Sequence, residues 1–181
     1  MLAALGSIAT QQANPTKNTM KKVRQFLGYA STHPNANVTY HASDTVLMGC
    51  SNALYLPKTK ARSWAGGHFF VSNNTAEPPN NGAVLTIAQI IKAVMSSAAE
   101  AKVGALYINC REAIPARHTL KFMGHPQPPT PMQTDNTTAL GVINNNAIKK
   151  LKAMDMKYHW LCGEDNFDTA GPQAKKTTAI T

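Results

Sequence analysis

The chain has 181 residues, enough for one domain with some surplus and a real core. It is 43% hydrophobic, yet no stretch approaches the roughly 18 uncharged apolar residues of a membrane span, so composition argues against a membrane protein, and an opening unlike a signal peptide makes an intracellular one the default expectation. Eighteen Lys and Arg against nine Asp and Glu leave a net charge of +9, an excess that suits polyanionic partners, nucleic acid first among them, or else a merely soluble basic surface. In chain order, "MLAALGSIATQQ" lacks the basic flank of a signal peptide and reads as part of a helix. "NPTKNTMKKVRQFLGYAS" places Met20, Val23, Phe26, Leu27 and Ala30 at helical spacing, and the helix should end between Gly28 and Pro34.

Strand material follows in "NVTYHASDTVLMGCSN", best over Thr45 to Cys50, and again in "KARSWAGGHFFVS", whose paired glycines mark a bend or a close backbone approach. "NNTAEPPNNG" is a turn by composition. "AVLTIAQIIKAVM" is ambiguous, because Val84, Ile87, Ile90, Ile91 and Val94 suit a helix while the β-branched opening suits a strand. Ser97 should cap the next helix, with Pro115 kinking or splitting it before Gly124 and Pro126. Met132 to Thr134 reads as a short strand, Asn136 to Asn145 as a helix, "NAIKKLKAMDMKYHWL" as an amphipathic segment, and the residues after Leu161 as a loose tail. Cys50, Cys110 and Cys162 show no CxxC spacing, which argues for buried thiols over a disulfide framework or zinc site. Basic residues group at Lys17, Lys21, Lys22 and Arg24, at Lys58, Lys60 and Arg62, and at Lys149, Lys150, Lys152 and Lys157.

The element order points to an α/β or α+β sheet with helices packed on it. "SNALYLPKTKARSWAGGHFF", "SSAAEAKVGALYINCREAI" and "QTDNTTALGVINNN…KAMDMKYHWL" resemble the ribonuclease H domain of copia-type retrotransposon polyproteins. "ANPTKNTMKKVRQFLGYASTHP" resembles the end of the reverse transcriptase that precedes it. The resemblance implies three parts: a helical segment over 1–40, a ribonuclease H-like domain over 41–161, and the tail over 162–181. It implies a mixed sheet with its first three strands antiparallel and helices on both faces, and makes Val84 to Gln89 the third strand. The family's last strand and helix have no match in the tail, so four strands are expected, with an uncovered edge favouring self-association.

Such a domain hydrolyses the RNA strand of an RNA–DNA hybrid with two magnesium ions about 4 Å apart, which need several converging carboxylates. The resemblance places four acidic positions. At the first, "SNA" puts Asn52 where the family has Asp, an isosteric amide without the charge. At the second, "EAKVGAL" puts Lys102 where the family has Glu; Glu100, about 200° round the helix, cannot replace it. At the third, Asp135 in "QTDN" is intact, as a retained ligand or simply an N-cap for the helix after it. For the fourth, Asp168 is the nearest candidate.

The other acidic residues have ordinary readings. Asp44 is read as a turn residue, Asp155 as a salt-bridge partner of Lys152 or Lys157, and Glu77, Glu112, Glu164 and Asp165 match no catalytic position. His68 and His159 read as packed or hydrogen-bonded side chains. At the old site, Lys102 and Asp135 should meet within a few ångströms, with Asn52 accepting from Lys102 and donating to Asp135.

The favoured reading is a catalytically impaired remnant that holds RNA–DNA hybrid or duplex nucleic acid, with Lys58, Lys60 and Arg62 the first candidate contacts. No cofactor is expected, and a metal would find Asp135 at most. The alternatives are an active magnesium-dependent hydrolase that tolerates Asn52 and Lys102, and an inert remnant with no selected role.

Overall fold

A computed structural model describes residues 1–58, 62–75, 77–135 and 167–168, with the side chains of 57, 58, 167 and 168 excepted. By its internal contacts the chain divides into Met1–Thr39 and Tyr40–Thr181. The first unit holds helix α1, Leu2–Ala9, and helix α2, Lys17–Thr32. Thr16 caps α2, accepting from the Thr19 backbone N–H while the Thr19 hydroxyl accepts from the Thr16 N–H, so two otherwise orphaned donors are satisfied reciprocally. The helix passes Gly28 and ends at Thr32, within the Gly28 to Pro34 stretch expected to close it. A glycine costs only about 1 kcal/mol inside a helix, too little to stop one whose neighbours favour it.

The second unit is built on a sheet of order β3-β2-β1-β4-β5. Strands β1 (Val46–Lys58), β2 (Arg62–Ser72) and β3 (Ala83–Ile90) run antiparallel in succession. Helix α3 (Ala98–Phe122) crosses over to β4 (Thr130–Thr134), which lies parallel to β1. Leu47, Phe69, Ile91, Val103 and Leu106 are fully buried where α3 covers the sheet, each contributing about 1.5–3 kcal/mol of burial. Val46, Met48 and Phe70 form a second apolar cluster, to which Cys50 adds. The opening of β1 is therefore buried on successive residues, which is why "VLMG" is unbroken by polar residues.

The ambiguous segment is a strand. Of its helically spaced residues, Val84, Ile90 and Val94 are exposed, so that spacing marks no buried helical face, and the backbone of Ala83–Ile90 pairs with β2 instead. Ahead of β1, the Asn81 side chain accepts from the His41 N–H (2.8 Å) and donates to the carbonyls of His41 and Val71 (both 2.9 Å). The Tyr40 hydroxyl donates to the Ala83 carbonyl at 3.0 Å. Asp44 is a turn residue in fact, accepting from the Asn74 N–H at 3.0 Å and donating its own N–H to the Asn73 side chain.

Two sequence expectations need correction. Of the two effects expected of Pro115, kinking or splitting, splitting does not occur: α3 continues through it to Phe122. Both flanking stretches are anchored, Cys110 and Ala113 in the core before it and Arg117 after it, whose guanidinium donates to the carbonyls of Gln127 and Pro128 and to the Thr130 hydroxyl. Tertiary fixing on both sides outweighs the lost hydrogen bond.

The sheet also has more than the four strands expected without the family's last strand. Phe167–Asp168 forms β5, pairing in parallel with Thr130 and Pro131. Unpaired backbone groups at a sheet edge gain from any extended partner, and two residues suffice to supply one there. The expected helices after Asp135 and the family's last helix lie outside the described residues.

Candidate functional site

Three elements converge at one end of the sheet. Parallel pairing sets Ser51 beside Thr134, so Asn52, within β1 and paired with Gly66 of β2, and Asp135, the first residue after β4, lie at the same level. Helix α3 starts above them, and its first turn is fixed from several sides. Ser97 caps it, accepting from the Glu100 N–H at 3.1 Å, and the buried Glu100 carboxylate accepts from the Ser96 N–H and hydroxyl. The Ser96 carbonyl accepts from the Tyr55 hydroxyl, and the Lys92 carbonyl from the Arg62 guanidinium.

Lys102 stands on the second turn of this helix and reaches down between the strands. Its ammonium donates to Asn52 Oδ1 at 2.7 Å and forms an ion pair with Asp135 Oδ1. Its side chain is 14% exposed and that of Asp135 52%, so a largely covered lysine meets a carboxylate half open to solvent. Asn52 Oδ1 also accepts from the Ala53 N–H at 2.7 Å. The amide donation from Asn52 to Asp135 expected from the sequence is not made. A pair this open to solvent stabilises the fold by only about 0–1 kcal/mol, so its effect is on the character of the site rather than on folding.

Asn52, Lys102 and Asp135 together carry one negative and one positive charge, already in contact. A divalent cation there would meet a single carboxylate, a neutral amide and an ammonium that repels it, a donor set that does not fit a magnesium pair. Among the described residues no three His, Cys, Asp or Glu side chains converge as a metal site. Glu100, the nearest other carboxylate in sequence, is committed to the cap.

The remaining sequence candidates fall elsewhere. Arg62 is tied to the loop after β3, while the side chains of Lys58 and Lys60 lie outside the described residues, as do Asp155, His159, Cys162, Glu164, Asp165, the last basic group and the Asp168 side chain. Glu112 is exposed on α3 and Glu77 lies in the loop before β3. His68 packs against Phe70, ring centroids 5.5 Å apart. Cys110 is buried, and Cys50 is half-buried with its thiol donating to Gln133 Oε1; burial pushes that thiol up from its usual range, the reverse of a reactive nucleophile.

A residue that sequence reasoning missed supports the site from below. Asn109 is fully buried, and its amide donates to the Ser51 hydroxyl (2.7 Å) and the Gly66 carbonyl (2.9 Å), pinning α3 to both β1 and β2. It lies seven residues after Lys102, two helical turns along the same side, and a lone amide on an Ala-rich helix face was the available signal. The paired glycines prove to mark close approach: a Cβ on Gly67 would sit 2.3 Å from Asn109 Oδ1.

No family model matches the chain, and no curated protein matches it. Among solved structures it is similar to LC11-RNase H1, isolated from compost by a metagenomic approach, at 8% identity and a TM-score of 0.46 over 65% of this chain and 73% of that one. Three antiparallel strands, a crossover helix and a fourth strand parallel to the first make the second unit a mixed α+β domain. Among the described residues no helix is long and apolar enough to cross a membrane.

Proposed function

We propose that this is a ribonuclease H-like domain of copia-type retrotransposon origin, its first 40 residues derived from the end of a reverse transcriptase, that holds RNA–DNA hybrid or duplex nucleic acid without cutting it. The observation that carries the reading is the Lys102 ammonium seated between Asn52 and Asp135, in the place where hydrolysis would need cations. An internal ion pair supplies the neutrality that metals would otherwise provide, so the site folds without magnesium and does not assemble a water for attack on phosphate. The net charge of +9 supports a backbone-led, sequence-tolerant contact.

The test is a binding titration of labelled RNA–DNA hybrid at low and moderate salt, with a cleavage assay in magnesium and the Asn52→Asp plus Lys102→Glu protein alongside. Affinity should fall steeply with salt. The native chain should leave the hybrid intact, and magnesium should leave its melting temperature almost unchanged, since a ligand stabilises only as it binds the native state. Cleavage by the native chain, or a clear magnesium-dependent rise in melting temperature, would return the hydrolase reading. No binding at low salt would leave the inert remnant.

A further inference from the structure

We infer that Lys102 is itself a phosphate ligand: its ammonium takes a non-bridging oxygen of a nucleic-acid phosphodiester, and Asp135 is the internal competitor that holds this affinity down. The inference rests on the proposed nucleic-acid binding and names one contact within it. An ammonium has three N–H donors in a tetrahedral fork. Asn52 Oδ1 takes one and Asp135 Oδ1 another, and among the described residues nothing takes the third. Among the described residues the ammonium's neighbours are the exposed Asn52 and the half-exposed Asp135, so an anionic oxygen arriving beside them meets it. The Lys102 side chain is largely covered and its ammonium held from two sides, so little side-chain freedom is lost when a third acceptor arrives.

The electrostatics give this contact a distinctive signature. With Asp135 ionised the site is neutral and a phosphate approaching Lys102 also approaches a carboxylate. Replacing Asp135 by Asn keeps the shape, leaves the ammonium unopposed, and turns a neutral site into a cationic one. Lys102→Met and Asp135→Asn both break the ion pair, so a purely structural pair would make them act alike. For a phosphate ligand they act in opposite directions.

Four proteins decide the matter: native, Lys102→Met, Asp135→Asn and the double variant, each checked for an unchanged melting transition and titrated with a fluorescein-labelled RNA–DNA hybrid over a salt series. Lys102→Met should weaken binding several-fold and lower the salt slope by about one phosphate. Asp135→Asn should tighten binding several-fold, and this gain should vanish in the Lys102→Met background, because it acts through the ammonium. A fifth protein, Lys102→Gln, which keeps hydrogen bonding and loses the charge, should behave as Lys102→Met does.

Each other result overturns the inference. A gain from Asp135→Asn that survives in the double variant would mark a general field effect and remove the inference while leaving the proposed function intact. Absence of binding by all four proteins at low salt would remove the proposed function, and this contact with it. Inorganic phosphate titrated against the unliganded protein is the free-anion arm: a saturable rise in melting temperature lost in Lys102→Met would assign the site to free phosphate instead.

Discussion

Gly67 determines how closely α3 can lie on the sheet. Its missing Cβ is the space that Asn109 Oδ1 fills, and Asn109 cannot retreat without giving up Ser51 and the Gly66 carbonyl. Gly67→Ala should therefore cost about 1–3 kcal/mol as overpacking, read as a lower denaturation midpoint with an unchanged slope. Gly66, whose added Cβ would meet nothing nearer than 3.8 Å, is the control and should tolerate alanine far better.

Cys50 makes a second prediction at this scale, in pH. Its folded thiol titrates higher than an unfolded one because burial disfavours the thiolate. Below about pH 8.5 both states keep the proton and nothing changes; above it the unfolded chain releases a proton that the folded one still holds, so stability falls as pH rises. In thermal melts across that range, the native protein should lose stability more steeply than Cys50→Ala. Equal slopes for the two would contradict the cause assigned to the shift.

Among the elements, α3 carries the largest discrepancy between local rule and outcome. Pro115 is exposed within a continuous helix and offers no N–H to the Arg111 carbonyl one turn back. Pro115→Ala restores that donor at a position with no packing to lose, and should stabilise by about 1–2 kcal/mol after allowing for the freer unfolded chain. A fall in melting temperature would mean that the helix depends on a distortion the proline provides. The buried Arg117 guanidinium, lowered from its usual range by desolvation, is what holds the helix beyond this point.

The strands show why some elements were legible and others were not. β1 and β2 announce themselves through runs of apolar residues bounded by turn residues, and β3 needed the resemblance because its exposed apolar side chains imitate a helical period. β5 is two residues long and has no periodicity to detect. Asn52, Lys102 and Asp135 could be picked out because their motifs specify register, whereas Asn109 belongs to no motif and is visible only once α3 is laid against β1 and β2.

At the scale of the whole molecule, residues 33–39 are all exposed and lie between the end of α2 and the bonds that Tyr40 and His41 make to the Asn81–Ala83 stretch. A backbone so open should be cut first by a nonspecific protease at low dose. The expected product is a stable fragment starting near Tyr40, identified by mass and N-terminal sequence. First cuts within β1 to β4 would show that the two units are not separable in this way.

That exposed connection has a consequence for how the chain can be handled. Every group that builds the Lys102 cluster, from Asn52 to Asp135, is encoded downstream of it, as are the buried residues of the sheet. A junction placed near residue 37 therefore keeps Asn52, Lys102 and Asp135 on one piece of chain, so that whatever is fused ahead of it, the three residues travel together.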